Sequence, residues 1–157
     1  MTFYIDKSIN NNSIILHDDY SFGYKELIEP WNYQIELDVS AQFLLNIDSK
    51  TNKCTSCEGF VIQTKKVELR NLEIPKWKIG GLFVKDYVKE SEFVSGFKNH
   101  KTLTYDMKNK NLYFDKKNKI FAIGEISSNN FYKFGKGQYV SLSDDGNLNC
   151  VLICFDN

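Results

Sequence analysis

Alanine, proline and arginine are close to absent: the 157 residues include two Ala, two Pro and a single Arg, Arg70. Without its best former, a helical fold has little intrinsic support. Long apolar runs are missing too. The longest, Cys150 to Phe155, falls far short of the ~20 residues that cross a bilayer. At the N-terminus, Met-Thr-Phe-Tyr-Ile-Asp-Lys places an acid and a base where a signal peptide needs unbroken apolar sequence. These absences predict a cytoplasmic protein with no membrane partner. An excess of charge of either sign is also lacking, with 20 Lys+Arg against 20 Asp+Glu. That balance argues against nucleic acid held by an overall positive field. No Gly-, Ser- or Pro-rich linker and no long-period repeat divides the chain, so one globular domain over residues 1–157 is expected.

What the chain does have is apolar and aromatic mass, 42% and 15% of residues, which excludes a disordered tail. A chain of this size buries roughly 70% of its unfolded surface and needs no metal or disulfide for stability. Nineteen of the twenty basic residues are Lys, and there are sixteen Asn. Lys, Asn, Ile, Phe and Tyr have A/T-rich codons, so the bias reflects an A/T-rich genome.

Periodicity points to strands. Tyr33, Ile35, Leu37 and Val39 alternate with Gln34, Glu36 and Asp38, the period of two that suits a half-buried strand. Phe43–Ile47 and Phe60–Gln63 flank a polar stretch, Asp48 to Gly59, and read as a long-looped hairpin. Val67 and Leu69 alternate with Glu68 and Arg70, and Leu72 and Ile74 continue the pattern until Pro75. Leu103, Tyr105 and Met107 form another strand; Leu112–Phe114 and Ile120–Ile126 flank the turn Asp115–Asn118. The clearest hairpin joins Tyr139–Leu142 to Leu148–Phe155 through Asp144-Asp-Gly-Asn147, because Asp-Gly supplies the φ > 0 positions of a tight turn. Phe3–Ile5 and Ile14–Leu16 repeat the idea around Asn10-Asn-Asn12. Asp86 to Phe97 is the best candidate for a short helix. The expected fold is mainly β: an antiparallel sandwich or open barrel built from hairpins, with at most one or two short helices.

Charge is unevenly placed. Residues 1–60 carry nine acids against four lysines, and residues 61–119 carry fourteen bases against seven acids. Much of the basic excess sits in turns, where lysine is the ordinary solvated choice. In the acidic part, aromatics interleave with carboxylates from His17 to Tyr33. Aromatic anchors carry binding energy while acids steer a cationic partner. Asp18, Asp19, Tyr20, Tyr24, Glu26, Glu29 and Trp31 are therefore the candidate binding residues. The competing reading makes Phe22, Ile28 and Trp31 core, with the acids simply outside.

Chemical constellations are sparse. Cys54-Thr-Ser-Cys57 has the spacing of half a zinc site. Cys150 and Cys154 lie within an apolar strand, where they and Leu152 share a face as small core residues. No metal or other cofactor is expected; were there one, Cys54 and Cys57 would be its ligands. Four cysteines without an export signal read as reduced thiols. His17 and Asp18 are neighbours in sequence, which in a strand puts them on opposite faces and argues against a dyad. Gly80-Gly81 and Gly135-Lys-Gly137 lack the helix and Gly-Lys-Ser/Thr ending of a phosphate cradle. Phe131, Tyr132, Phe134 and Tyr139 beside Lys133 and Lys136 have the makings of a base-stacking platform, but two lysines make a thin groove.

The run from Asp106 through Leu112-Tyr-Phe-Asp-Lys-Lys-Asn-Lys-Ile-Phe-Ala-Ile-Gly124, Tyr132-Lys-Phe-Gly135 and Gln138-Tyr-Val-Ser-Leu142 to Asp145-Gly-Asn-Leu148 resembles the C-terminal hairpins of small β-rich bacterial immunity proteins. Those proteins guard a cell against a toxin domain of a polymorphic or contact-dependent inhibition system. The likeness spans about a third of the chain and lies in short strands, Asn/Lys/Gly turns and a closing apolar strand. It implies a cytosolic non-enzyme that blocks one cognate toxin by direct binding, and many such toxin domains act on nucleic acid and are basic. Two alternatives stand beside it: a β-barrel or sandwich holding a small ligand in an aromatic-lined pocket, and a hydrolase joining His17 or His100 to a Cys or Ser.

Overall fold

A computed structural model describes residues 1–6, 14–16, 21–24, 33–39, 42–60, 67–85, 94–95, 101–126 and 130–155. Among them every regular element is a strand. The first sheet contains β1 (Phe3–Asp6), β2 (Ile14–Leu16), β3 (Ser21–Tyr24), β4 (Tyr33–Asp38), β5 (Gln42–Asp48), β6 (Lys53–Phe60), β9 (Gly81–Val84), β10 (Val94–Ser95) and β11 (Lys101–Asp106). Its order is β1-β9-β6-β5-β4-β11-β10, with β3 also pairing β6 and β2 pairing β3. The second holds β7 (Val67–Leu69), β8 (Trp77–Ile79), β12 (Leu112–Asp115), β13 (Ile120–Ile123), β14 (Phe131–Gly135), β15 (Gln138–Leu142) and β16 (Leu148–Cys154), in the order β7-β12-β13-β16-β15-β14-β8.

The two sheets face each other across one apolar core. Alternation aims Ile35, Leu37, Leu45 and Ile47 of the first sheet at Phe121, Val140, Val151 and Ile153 of the second. Phe43 of β5 stacks on Phe121 of β13 with ring centroids 6.3 Å apart. The expected β1–β2 hairpin does not form: β1 pairs with β9, and β2 with β3. Both sheets are mixed and not purely antiparallel, since β4–β11, β7–β12 and β8–β14 run parallel. A period of two describes either direction equally well, so the sequence could not separate them. Of the short helix expected over 86–97, Val94–Ser95 is strand β10 against β11, and the remainder lies outside the described residues.

The second sheet is buried on its far face as well. There Tyr113, Ile120, Ala122, Phe131, Tyr139, Cys150 and Leu152 pack with Leu72, which belongs to no strand. Residues 70–76 join β7 to β8, the two opposite edges of the sheet, so this strap crosses the face with Leu72 pointing inward. A flat sheet of seven strands spans about 29 Å at ~4.8 Å per strand. Eight peptide links reach about 26–29 Å when fully extended. Curling brings the edges within reach, and one of the two sheets is a curled half-barrel.

From β8 the chain turns into β9 of the first sheet through Gly80 alone. A Cβ at Gly80 would lie 2.2 Å from Ile5 Cγ2 and 2.9 Å from the Asp6 carbonyl, so only glycine fits this corner. The Asp-Gly turn forms as expected, with Gly146 at φ 80°. It also ties the sheets together: Phe3 N–H donates to the Gly146 carbonyl at 2.8 Å, and Leu148 N–H to the Tyr105 hydroxyl at 3.0 Å.

Candidate interaction surfaces

Of the residues expected to bind a partner, Asp18, Asp19, Tyr20, Glu26, Glu29 and Trp31 lie outside the described residues, as do His17 and His100. Tyr24 ends β3, paired with Ile14.

The Cys-x-x-Cys segment is strand, not loop. The β5–β6 turn occupies only residues 49–52, and the pairing shifts between Asn46 and Ile47, leaving Thr55 as the extra residue of a bulge. A spacing of three would otherwise put Cys54 and Cys57 on opposite faces. With the bulge, both enter the core between the sheets. Cys54 Sγ donates to the Ser56 carbonyl at 3.4 Å, and Cys57 Sγ to Gln138 Oε1 at 3.5 Å. Burial pushes the Cys54 thiol up to about 12 and Cys57 well above the ordinary thiol range, against the thiolate a metal requires. Cys150, also pushed up to about 12 by burial, lies on the far face of the second sheet, where Cys154 packs too. The sheet separates the two pairs, so the four sulfurs do not converge on one ion. Among the described residues no group of three or more His, Cys, Asp or Glu is arranged to hold a metal.

The outer face of the first sheet is polar and acidic. Alternation along β4 turns Gln34, Glu36 and Asp38 outward. Register then sets Glu36 beside Leu44, and Leu44 beside Glu58, while Asp106 of β11 is level with Asp38. A hydrogen-bonded ladder supports this row: Gln34 Nε2 donates to Asn46 Oδ1 (2.9 Å) and Glu58 Oε1 (3.1 Å), and Asn46 Nδ2 to Ser56 Oγ (2.8 Å). Lys108 Nζ sits 2.9 Å from Asp38 Oδ2, which raises the lysine's affinity for its proton.

The strap is fastened at its β7 end. Leu72 N–H donates to Asp115 Oδ2 at 2.8 Å, and Asn118 N–H to Asp115 Oδ1 at 2.9 Å. Hydrogen bonds from the Asn118 and Leu72 backbone hold the Asp115 carboxyl below its usual range. Next to it, the Arg70 guanidinium lies 3.7 Å over the Tyr113 ring and 3.8 Å from Glu125 Oε2. The Tyr113 hydroxyl donates to Glu125 Oε1, and Asn111 Nδ2 donates to both. At the other end, Ile74, Trp77 and Ile79 are 46%, 44% and 58% exposed. Trp77 leans on Tyr139 at 6.1 Å, and Lys133 Nζ lies 5.0 Å over the Trp77 ring. Phe131 and Phe134 are buried and offer no platform for bases. β8 is not among the strands expected from the sequence, although Trp77-Lys-Ile79 directly after Pro75 has strand alternation.

Compared with known proteins, the chain matches no family model and no curated sequence.

Proposed function

We propose that the protein is a cytoplasmic, non-enzymatic binding protein that neutralises a basic toxin domain by direct contact, as the immunity-protein resemblance implies. The observation that carries this reading is the outer face of the first sheet. There strand alternation and register gather Glu36, Glu58 and Asp106 on one surface, extending the acid-rich character of residues 17–31. Acids grouped on one face of a stiff sheet steer a cationic partner and speed its docking. Four cysteines, none of them in a disulfide, fit a reducing compartment.

The experiment pairs this chain with the toxin domain encoded beside its gene. Expression of the toxin alone should arrest growth, and co-expression of this chain should restore it; arrest without rescue would overturn the immunity reading. With the purified pair, Glu36→Lys plus Glu58→Lys should slow association by about tenfold at low salt and flatten its salt dependence. Asp18→Lys plus Glu26→Lys tests the N-terminal acids in the same way. Rescue with an unchanged association rate in both double variants would retain the immunity role and remove the acids from it.

A further inference from the structure

β8 stands at the edge of the second sheet with β14 on one side, and no described strand covers its other side. Gly80 N–H donates to the Lys133 carbonyl at 3.1 Å, on the β14 side. In a strand, neighbouring residues present their N–H and C=O groups to opposite edges. The backbone groups of Ile79 and Trp77 therefore face outward, as a template for one more strand. Most proteins blunt such an edge with charge or proline. Here Pro75 and Lys76 precede it and Lys78 stands on one face, but the other face carries two exposed apolar side chains, with Ile74 exposed just before them.

Its charge selects an occupant. Lys76 and Lys78 flank Trp77, and the Lys133 ammonium sits over the indole. Glu73 on the strap and Asp6, whose carbonyl adjoins Gly80, are the acids at the two ends. A second copy pairing antiparallel about Lys78 would oppose two Lys78 side chains, and like charges directly opposite destabilise a sheet.

We propose that β8 is a docking edge for an extended segment of another protein in which apolar and acidic residues alternate. The segment joins the sheet as an eighth strand through the outward N–H and C=O groups of Trp77 and Ile79. Its apolar side chains cover Trp77 and Ile79, and its carboxylates meet Lys78 on the other face. This contact is separate from the acidic face of the first sheet and does not depend on the immunity reading.

The probe is a fluorescein-labelled peptide, Glu-Val-Glu-Val-Glu-Val-Glu, titrated into the full chain by fluorescence anisotropy. Saturable binding is expected, and a peptide with Lys in place of Glu should not bind. Ile79→Pro removes an outward N–H and no bond to β14, so it should weaken binding about tenfold or more while the thermal melt is retained. Lys78→Glu, an exposed substitution, should weaken it similarly and serves if the proline variant does not fold. Leu69→Pro removes the equivalent outward N–H on β7 at the opposite edge and should leave affinity unchanged. No saturable binding up to millimolar peptide, or unchanged affinity in Lys78→Glu, overturns the proposal. So does a concentration-dependent dimer in sedimentation that Ile79→Pro abolishes, since a second copy would then occupy the edge.

Discussion

Truncating Leu72 to alanine isolates what the strap contributes. Leu72 is 4% exposed and is the strap's one buried apolar side chain in the cluster on the far face of the second sheet. Removing three carbons forfeits roughly 2.4 kcal/mol of transfer free energy at ~0.8 kcal/mol per methylene. A cavity term adds to this, because the floor of paired strands cannot collapse into the space. The roof can: Asn71 and Glu73 on either side are exposed, so the strap is free to settle. The sum places Leu72→Ala near the low end of core truncations, about 2–3 kcal/mol. For a domain of this size that lowers Tm by about 5–10 °C. Ile74→Ala, on the same strap but 46% exposed, should stay within about 0.5 kcal/mol. Arg70→Ala should fall between them at about 0.5–1 kcal/mol, from its stacking on Tyr113. Urea denaturation with an unchanged slope gives the three values directly. If Leu72→Ala and Ile74→Ala moved the midpoint equally, the strap would not be held by its buried leucine, and the reasoning would fail.

Three further tests address other parts of the fold. Hydrogen bonding lowers the folded pKa of Asp115, so its contribution is fully present above its unfolded value of about 3.9 and is lost as pH falls through the folded value. Urea midpoints taken from pH 6 to pH 2 should therefore drop more steeply in the wild type than in Asp115→Asn; parallel curves would refute the assignment. At pH 8 iodoacetamide should reach Cys154, which is half-buried, before Cys54, Cys57 and Cys150, whose raised pKa values leave almost no thiolate. Mass spectrometry reads the order, and rapid labelling of Cys57 in the folded protein would contradict it. Asn46→Ala strips the ladder of its centre and leaves Ser56 and Gln34 short of a partner, for about 1–3 kcal/mol in urea denaturation. A loss no larger than that of an exposed alanine substitution would show the ladder to be ornamental.

The parts of the fold legible in the sequence are those where each face of a strand meets a different medium. Tyr33 to Val39 alternates in burial as it alternates in type, and the hairpin around Asp144–Asn147 follows from its turn chemistry. The bulged strand β6 was hidden for the converse reason. Its extra residue breaks the period of two, and Lys-Cys-Thr-Ser-Cys-Glu-Gly has the composition of a loop. Leu72 and Ile74 read as a continuing strand because spacing alone cannot tell a strap that dips once into a face from a strand that lies in it. Partner strands were the least visible part. β4 finds β11 over sixty residues away, and that choice is made by the shape of the whole core. The acidic surface was half visible: the acids of β4 and β6 counted toward the N-terminal excess, while register alone sets Asp106 beside them.

The strap also fixes an order of events during synthesis. β7 and β8 leave the ribosome before any of the five strands that separate them in the finished sheet. At roughly 5–20 residues per second, about 4–15 s pass between the appearance of Ile79 and that of Cys154. For the first part of that interval both edge strands are present without the strands that separate them, and the cluster that Leu72 enters is complete only once Leu152 has emerged. The first sheet has all its strands once β11 has emerged, whereas the second, begun by β7 and β8, waits for β16. The nascent protein therefore has to keep Trp77 and Ile79 from pairing wrongly until β14 arrives to pair with them. A fragment ending before β12 would carry two borders with nothing between them.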